Sequence, residues 1–179
     1  MKINVFADTI CGWCFIGHAN LNNALKKFPN VKFNIHHVPF QLNPDMPAKG
    51  ISREKYLEIK FGGKDSATPM YENMKLKAKE SGMNFNLDKI KKTPNTVLSH
   101  LLINLSEQFN IQNEIIDKIY QSYFIDGFDI GDINILINIS YLGFHHLIYL
   151  CHRYIMESDY HSLCICTYVL KRKRLIYDY

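Results

Sequence analysis

The sequence predicts an α/β domain that opens strand, helix, strand and then continues as helices. Three observations carry this. Lys2 to Ala7 alternates Ile3, Val5 and Ala7 on one face against Phe6 on the other, the period of a short buried strand. From Cys14 the apolar positions Cys14, Leu21, Leu25 and Phe28, with Ala24 beside them, recur at helical steps until Pro29-Asn30 stops the pattern. Val31, Phe33 and Ile35 then return to alternation, extended through Val38-Pro39-Phe40-Gln41-Leu42 before Asn43-Pro44 turns the chain. That order implies a parallel pair of strands with a right-handed crossover.

From Ser52 to Leu142 the signals are helical, with almost no alternation. Thr68-Pro69 sets a capping hydroxyl before a helix-starting proline, and Gly82 ends that helix. Asn95 caps a stretch whose Leu98, Leu101, Leu102, Leu105 and Phe109 make one apolar stripe. Ile115, Ile116, Ile119, Tyr120 and Tyr123 repeat it, and Asp132 caps a third helix holding Ile135, Leu136, Ile139 and Leu142. Such stripes read as core. Beyond Phe144 the composition shifts to four His, three Cys and six Tyr with no Gly or Pro. Only Leu163 to Leu170 is β-prone there, through Ile165, Thr167, Tyr168 and Val169. The chain therefore divides into an opening part with a Cys pair at 1–51, a helical insertion at 52–143 and an atypical tail at 144–179.

With 179 residues, 47% hydrophobic, 21% charged and 13% aromatic, the composition supports a packed core and excludes disorder. A net charge of +4, concentrated in Lys171 to Arg174, is too small to argue for nucleic acid or an anionic membrane as partner. The most apolar window, Ile133 to Leu150, carries Asn134, Asn138, Ser140, His145 and His146, which lipid would not accept. Met1 to Asp8 reaches an acid too soon for a secretory leader, so the expected location is the cytoplasm. Five cysteines, at 11, 14, 151, 164 and 166, are an odd number and do not suggest a disulfide framework.

Cys11-Gly12-Trp13-Cys14 sits where a strand ends and a helix begins. A helix N-terminus presents unpaired N–H groups and a partial positive charge, which favour a thiolate. Cys11 is therefore the expected nucleophile. Cys14, one turn inside, is placed to attack a mixed disulfide and is the expected resolving thiol. Neither needs a cofactor or a metal. A metal site built with Cys151, His152, His161, Cys164 or Cys166 is the alternative use of these thiols, although their spacings fit no closed zinc motif. His36-His37 and His145-His146 read as bystanders. Trp13 shields the thiols and offers an apolar contact beside them.

Four motifs in order carry a family resemblance. They are Cys11-Gly12-Trp13-Cys14-Phe15-Ile16-Gly17 after Asp8; Pro39-Phe40-Gln41-Leu42-Asn43-Pro44 with Pro47; Asn95-Thr96 with His100; and Tyr123-Phe124-x-x-Gly127-x-Asp129-Ile130-Gly131-Asp132. Over residues 2 to 144 the chain resembles the FrnE-like branch of the DsbA-type thioredoxin-fold oxidoreductases, relatives of the 2-hydroxychromene-2-carboxylate isomerases. The resemblance implies a thioredoxin-like fold with an all-helical insertion and thiol–disulfide exchange at Cys11 and Cys14. Trp13, Gly12 and Phe40 are the expected substrate-binding residues, and proteins or small thiols and disulfides, glutathione among them, the expected partners. Gly12 stands where family members commonly carry Pro, one of the two positions that tune the redox potential.

The sister branch of isomerases and kappa-class glutathione transferases has a serine where Cys11 stands, so the cysteine pair argues against that alternative. The family returns to its sheet through a cis-proline loop, whereas the last proline here is Pro94. The reading is a truncated or frame-altered C-terminus, a sheet left incomplete on that side and an activity impaired to match. An inactive remnant is the third alternative.

Overall fold

The computed structural model describes residues 1–141. Strand β1 (Lys2–Ala7) leads through a tight turn into α1 (Gly12–Leu25), and β2 (Asn34–Pro39) returns parallel to β1. The register runs from Lys2 opposite Asn34 to Ala7 opposite Pro39. The strand–helix–strand opening is thus as predicted, except that β2 starts later than the alternation from Val31 suggests. Val31 lies in a turn, its N–H donating to the Phe28 carbonyl at 3.1 Å, and is 46% exposed.

Among the described residues the outer edge of β2 meets no other strand at His37. Instead the Gln112 side chain accepts from the His37 N–H at 3.1 Å and reaches the Ile103 carbonyl with its amide at 3.3 Å. A carboxamide carries both a donor and an acceptor, so one side chain can satisfy backbone that a strand would otherwise pair.

The chain continues with β3 (Ile51–Ser52) and α2 (Arg53–Phe61), capped by the Ser52 hydroxyl, which accepts from Lys55 N–H at 3.2 Å. Helix α3 (Lys64–Glu80) follows, then a short 3₁₀ turn at Leu87–Lys89, and β4 (Lys92–Thr93), which pairs antiparallel with β3. Helix α3 corrects one expectation: Thr68-Pro69 lies inside it rather than at its start. Gly62 and Gly63, with φ of 77° and 121°, break the chain earlier, and the Thr68 hydroxyl donates back to the Lys64 carbonyl at 3.0 Å instead of capping. Gly82, with φ of 83°, follows its end as expected. The β3–β4 pair was not anticipated, because two-residue strands carry no period.

Helix α4 (Val97–Glu107) has Thr96 at its N-cap with no side-chain bond; the predicted cap, Asn95, lies one residue earlier and accepts from Val97 N–H at 2.9 Å in a turn that leads into the helix. Helix α5 (Gln112–Gln121) ends in a π-helical turn at Ser122–Asp126 and is followed by α6 (Ile133–Tyr141). Asp132 caps α6 by accepting from Asn134 N–H at 2.8 Å. Between them, Asp129 accepts from Gly131 N–H at 3.0 Å and pairs with Lys92 at 2.6 Å, while Ile130 is fully buried. A Cβ on Gly131 would come within 2.9 Å of Pro94, so this junction packs as glycine only.

The core lies between α1 and the helices that follow β2. Phe15 stacks on Tyr120 at 4.8 Å and on Phe85 at 5.5 Å, and Phe85 stacks on Phe124 at 5.1 Å. The residue after the second cysteine is thereby locked against helix α5, more than a hundred positions away. Among the described residues no helix is long and apolar enough to cross a membrane. The β-prone stretch at 163–170, the tail at 144–179, His145-His146 and the alternative metal ligands from Cys151 to Cys166 lie outside the described residues.

His37 is buried against His18, with ring centroids 5.5 Å apart, and its Nε2 has no hydrogen-bond partner among the described residues. Burial first, then the neighbouring histidines, lowers its pKa from 6.5 to about 4. The unfolded chain therefore binds this proton more readily, and the stability His37 contributes above pH 6.5 is lost as pH falls towards 4. His37→Gln is expected to flatten the acid side of the unfolding free energy across that window, measured by urea titration at successive pH values.

Candidate active site

The turn Asp8-Thr9-Ile10 sets Cys11 at the carboxyl end of β1, its N–H donating to the Asp8 carbonyl at 3.1 Å. Cys11 is the N-cap residue of α1, and its Sγ accepts from the Cys14 N–H at 3.2 Å. This is the hydrogen bond that a capping serine or aspartate would make, so a thiolate at Cys11 sits in a position built for an anion. Both cysteines are free and partly exposed.

The two thiols are strongly unequal. Hydrogen bonding from Cys14, chiefly from its side chain, lowers the Cys11 pKa from 9.0 to about 7 against the opposing effects of burial and the Asp8 charge. Cys14, which holds its proton towards Cys11 and is itself buried, is pushed well above the ordinary thiol range. The geometry thus gives one ready nucleophile and one protonated partner a turn behind it.

Beneath the pair lies a buried polar group that the sequence reading used only as a motif letter. Asp8 is 1% exposed. Its Oδ2 accepts from Leu42 N–H at 2.7 Å, and its Oδ1 lies 3.2 Å from His100 Nε2. His100 Nε2 is also 3.1 Å from the Phe40 carbonyl. Both neighbours are acceptors, so Nε2 carries the proton and donates to each. Thr9 and Ser99 hydroxyls meet at 2.8 Å, and the Asn95 amide donates to the Met46 carbonyl at 2.7 Å. The first three motifs of the sequence therefore converge here, held by hydrogen bonds.

Of the predicted substrate-binding residues, Trp13 is 43% and Phe40 47% exposed, at the same end of the sheet as the thiols. Gly12 is buried, facing Met74 and Phe124. Asp8 and His100 are the residues that sequence reasoning left out of the site. An acid three residues before the first cysteine and a histidine within a leucine stripe were the available signals. Among the described residues no group of three or more His, Cys, Asp or Glu side chains is placed to hold a metal ion.

Residues 2–141 match the DSBA-like thioredoxin domain family, and the chain belongs to that family. An uncharacterized Bacillus subtilis protein, YwbO, is 25% identical over 140 residues, which are 78% of this chain and 64% of that relative. The chain thus spans less than two thirds of that relative's length. Among solved structures, the "probable DsbA oxidoreductase SCO1869" of Streptomyces coelicolor superposes with a TM-score of 0.72 at 21% identity, over 84% of this chain and 67% of that one. The cytosolic disulfide reductase DsbM of Pseudomonas aeruginosa, solved with glutathione, gives 0.67 at 12% identity over 98% and 79%. These likenesses establish a DsbA-like thioredoxin fold of mixed strands and helices.

Two outcomes are expected from thiol titration. Alkylation of the reduced protein should follow a single ionisation near pH 7 and label Cys11, with Cys14 unreactive through neutral pH, read by peptide mass mapping. Asp8→Asn, which removes a charge opposing the thiolate, should move that midpoint lower. A midpoint near 9, or labelling of Cys14 first, would contradict the site as described.

Proposed function

We propose that this chain is a thiol–disulfide oxidoreductase of the FrnE-like branch, with Cys11 as nucleophile and Cys14 as resolving thiol. The observation that carries the reading is the capping position of Cys11, where the Cys14 N–H holds its sulfur and its pKa falls to about 7. In the reducing direction the Cys11 thiolate attacks one sulfur of a substrate disulfide. A Cys11–substrate disulfide forms and the other substrate sulfur leaves as a thiolate. Cys14 then gives up its proton to solvent and attacks Cys11 Sγ, releasing the second substrate thiolate and leaving a Cys11–Cys14 disulfide. Two equivalents of a small thiol, leaving as their own disulfide, return the pair to the dithiol, and the reverse sequence oxidises a substrate.

Trp13 and Phe40, exposed beside the thiols, are the proposed contacts for a protein or small-molecule substrate, with Gly12 in the turn between the cysteines. The glutathione in the Pseudomonas reductase supports glutathione as the returning thiol, and the cytosolic description of that protein supports the cytoplasm as the place of action. In this reading 1–51 is the thioredoxin-like part that carries the thiols, 52–143 the helical insertion and 144–179 the atypical tail, a remnant of the thioredoxin part.

Cys14→Ser tests the reading. With the resolving thiol gone, oxidised glutathione should leave a stable adduct on Cys11, seen as a mass increase reversed by dithiothreitol, while Cys11→Ser should form none. A folded Cys14→Ser protein that takes up no glutathione would overturn the assignment.

A further inference from the structure

Gly12 is glycine for a reason its backbone does not supply. It is the first residue of α1, where proline and most other residues are tolerated, and it is not among the positive-φ glycines of the chain. What the position lacks is room. A Cβ built on Gly12 would overlap Met74 Sδ, lie 3.2 Å from Met74 Cε and 3.4 Å from Phe124 Cε1. Met74 comes from α3 and is 5% exposed, so its thioether fills, from outside the motif, the space that a side chain between the cysteines would take.

We propose that Met74 is a positioning residue of the redox pair, standing in for the missing side chain at position 12 and thereby setting the dithiol–disulfide equilibrium of Cys11 and Cys14. The residues between two such cysteines act on their thiols through the first turn of the helix. Here half of that dipeptide is supplied by a helix some sixty residues later in the chain. Packed on the Gly12 Cα, Met74 holds the turn in which the Cys14 N–H reaches Cys11 Sγ. Removing the Met74 side chain frees that turn, weakens the hold on the Cys11 thiolate and shifts the pair towards the disulfide. The thioether is unbranched and adaptable, so a small side chain at position 12 can push its tip aside, and the two positions act as one unit.

The inference rests on the exchange reading above and is tested with a double-mutant cycle on the full chain, using Gly12→Ala, Met74→Ala and both together. Each variant is equilibrated with mixtures of reduced and oxidised glutathione, and its Cys11 thiolate is followed by ultraviolet absorbance against pH. Met74→Ala should favour the disulfide by about fivefold and raise the Cys11 midpoint. Gly12→Ala should move the parent away from its own equilibrium, but should move Met74→Ala back towards it, because the new Cβ enters the vacated space. Equal shifts in both backgrounds, or a lowered melting temperature with neither readout moved, would overturn the proposal.

If Met74→Ala does not fold, Met74→Val keeps an apolar side chain that ends before the δ position. It should shift the equilibrium in the same direction, and a parent-like value would overturn the proposal. A parent chain that forms no Cys11–Cys14 disulfide in these mixtures defeats the exchange reading and this inference together. A parent that exchanges normally beside an additive cycle defeats this inference alone.

Discussion

A carboxylate removed from water must be given partners, and in this protein the placement of everything near the thiols follows from how Asp8 finds its own. A buried charge left unpaired is strongly destabilising, by about 3–5 kcal/mol when one partner of a buried pair is lost. The partners of Asp8 are the Leu42 N–H and His100, so meeting its needs draws the Phe40–Leu42 segment and α4 onto the turn that precedes Cys11. His100 closes the arrangement by also donating to the Phe40 carbonyl. Three segments far apart in the chain are thus located by two oxygens. The turn they locate is the one that presents Cys11 to the end of α1.

The second support is apolar and comes from below. Phe15 is 4% exposed and packs flat against Tyr120 and Phe85, which in turn contact Phe124 of the π-helical turn. Aromatic faces at these separations add about 0.5–1.5 kcal/mol per pair beyond the area they bury. Because Phe15 follows Cys14 directly, the first turn of α1 cannot shift without disturbing that stack. The helices after β2 therefore form the floor beneath the Cys11–Cys14 turn. Asp8 fixes where the motif starts, and Phe15 fixes how the helix behind it is seated.

Features governed by a few neighbouring residues were legible in the sequence. β1 followed from the alternation of Ile3, Val5 and Ala7, the cap at Asp132 from residue type ahead of an apolar stripe, and the inequality of Cys11 and Cys14 from their places at a helix start. What was missed depends on contacts between distant positions. Nothing local marks Met74 as the residue that meets Gly12, or Gln112 as the group that satisfies the edge of β2. Thr68-Pro69 misled for a related reason. A proline early in a helix and one at its first position look alike, and Gly62-Gly63 a few residues before decided between them. The four motifs were legible as an ordered set, yet their physical meaning, that the first three surround one carboxylate, needed the structure.

Asp8 has two effects that oppose each other at the thiols, and their balance explains the form of the site. Its carboxylate positions the turn, but its negative charge raises the pKa of both cysteines. Burial works in the same direction. Cys11 is nevertheless held near 7, so hydrogen bonding from Cys14 outweighs the two combined. That outcome depends on geometry alone. Cys11 is at the cap, where its sulfur accepts from the Cys14 N–H; Cys14 is one turn inside, and its thiol donates to Cys11. The same charge that both thiols feel is therefore overcome at one and reinforced at the other. The buried acid raises both thiols, so the difference between them comes from the hydrogen bonding between Cys11 and Cys14 and not from Asp8.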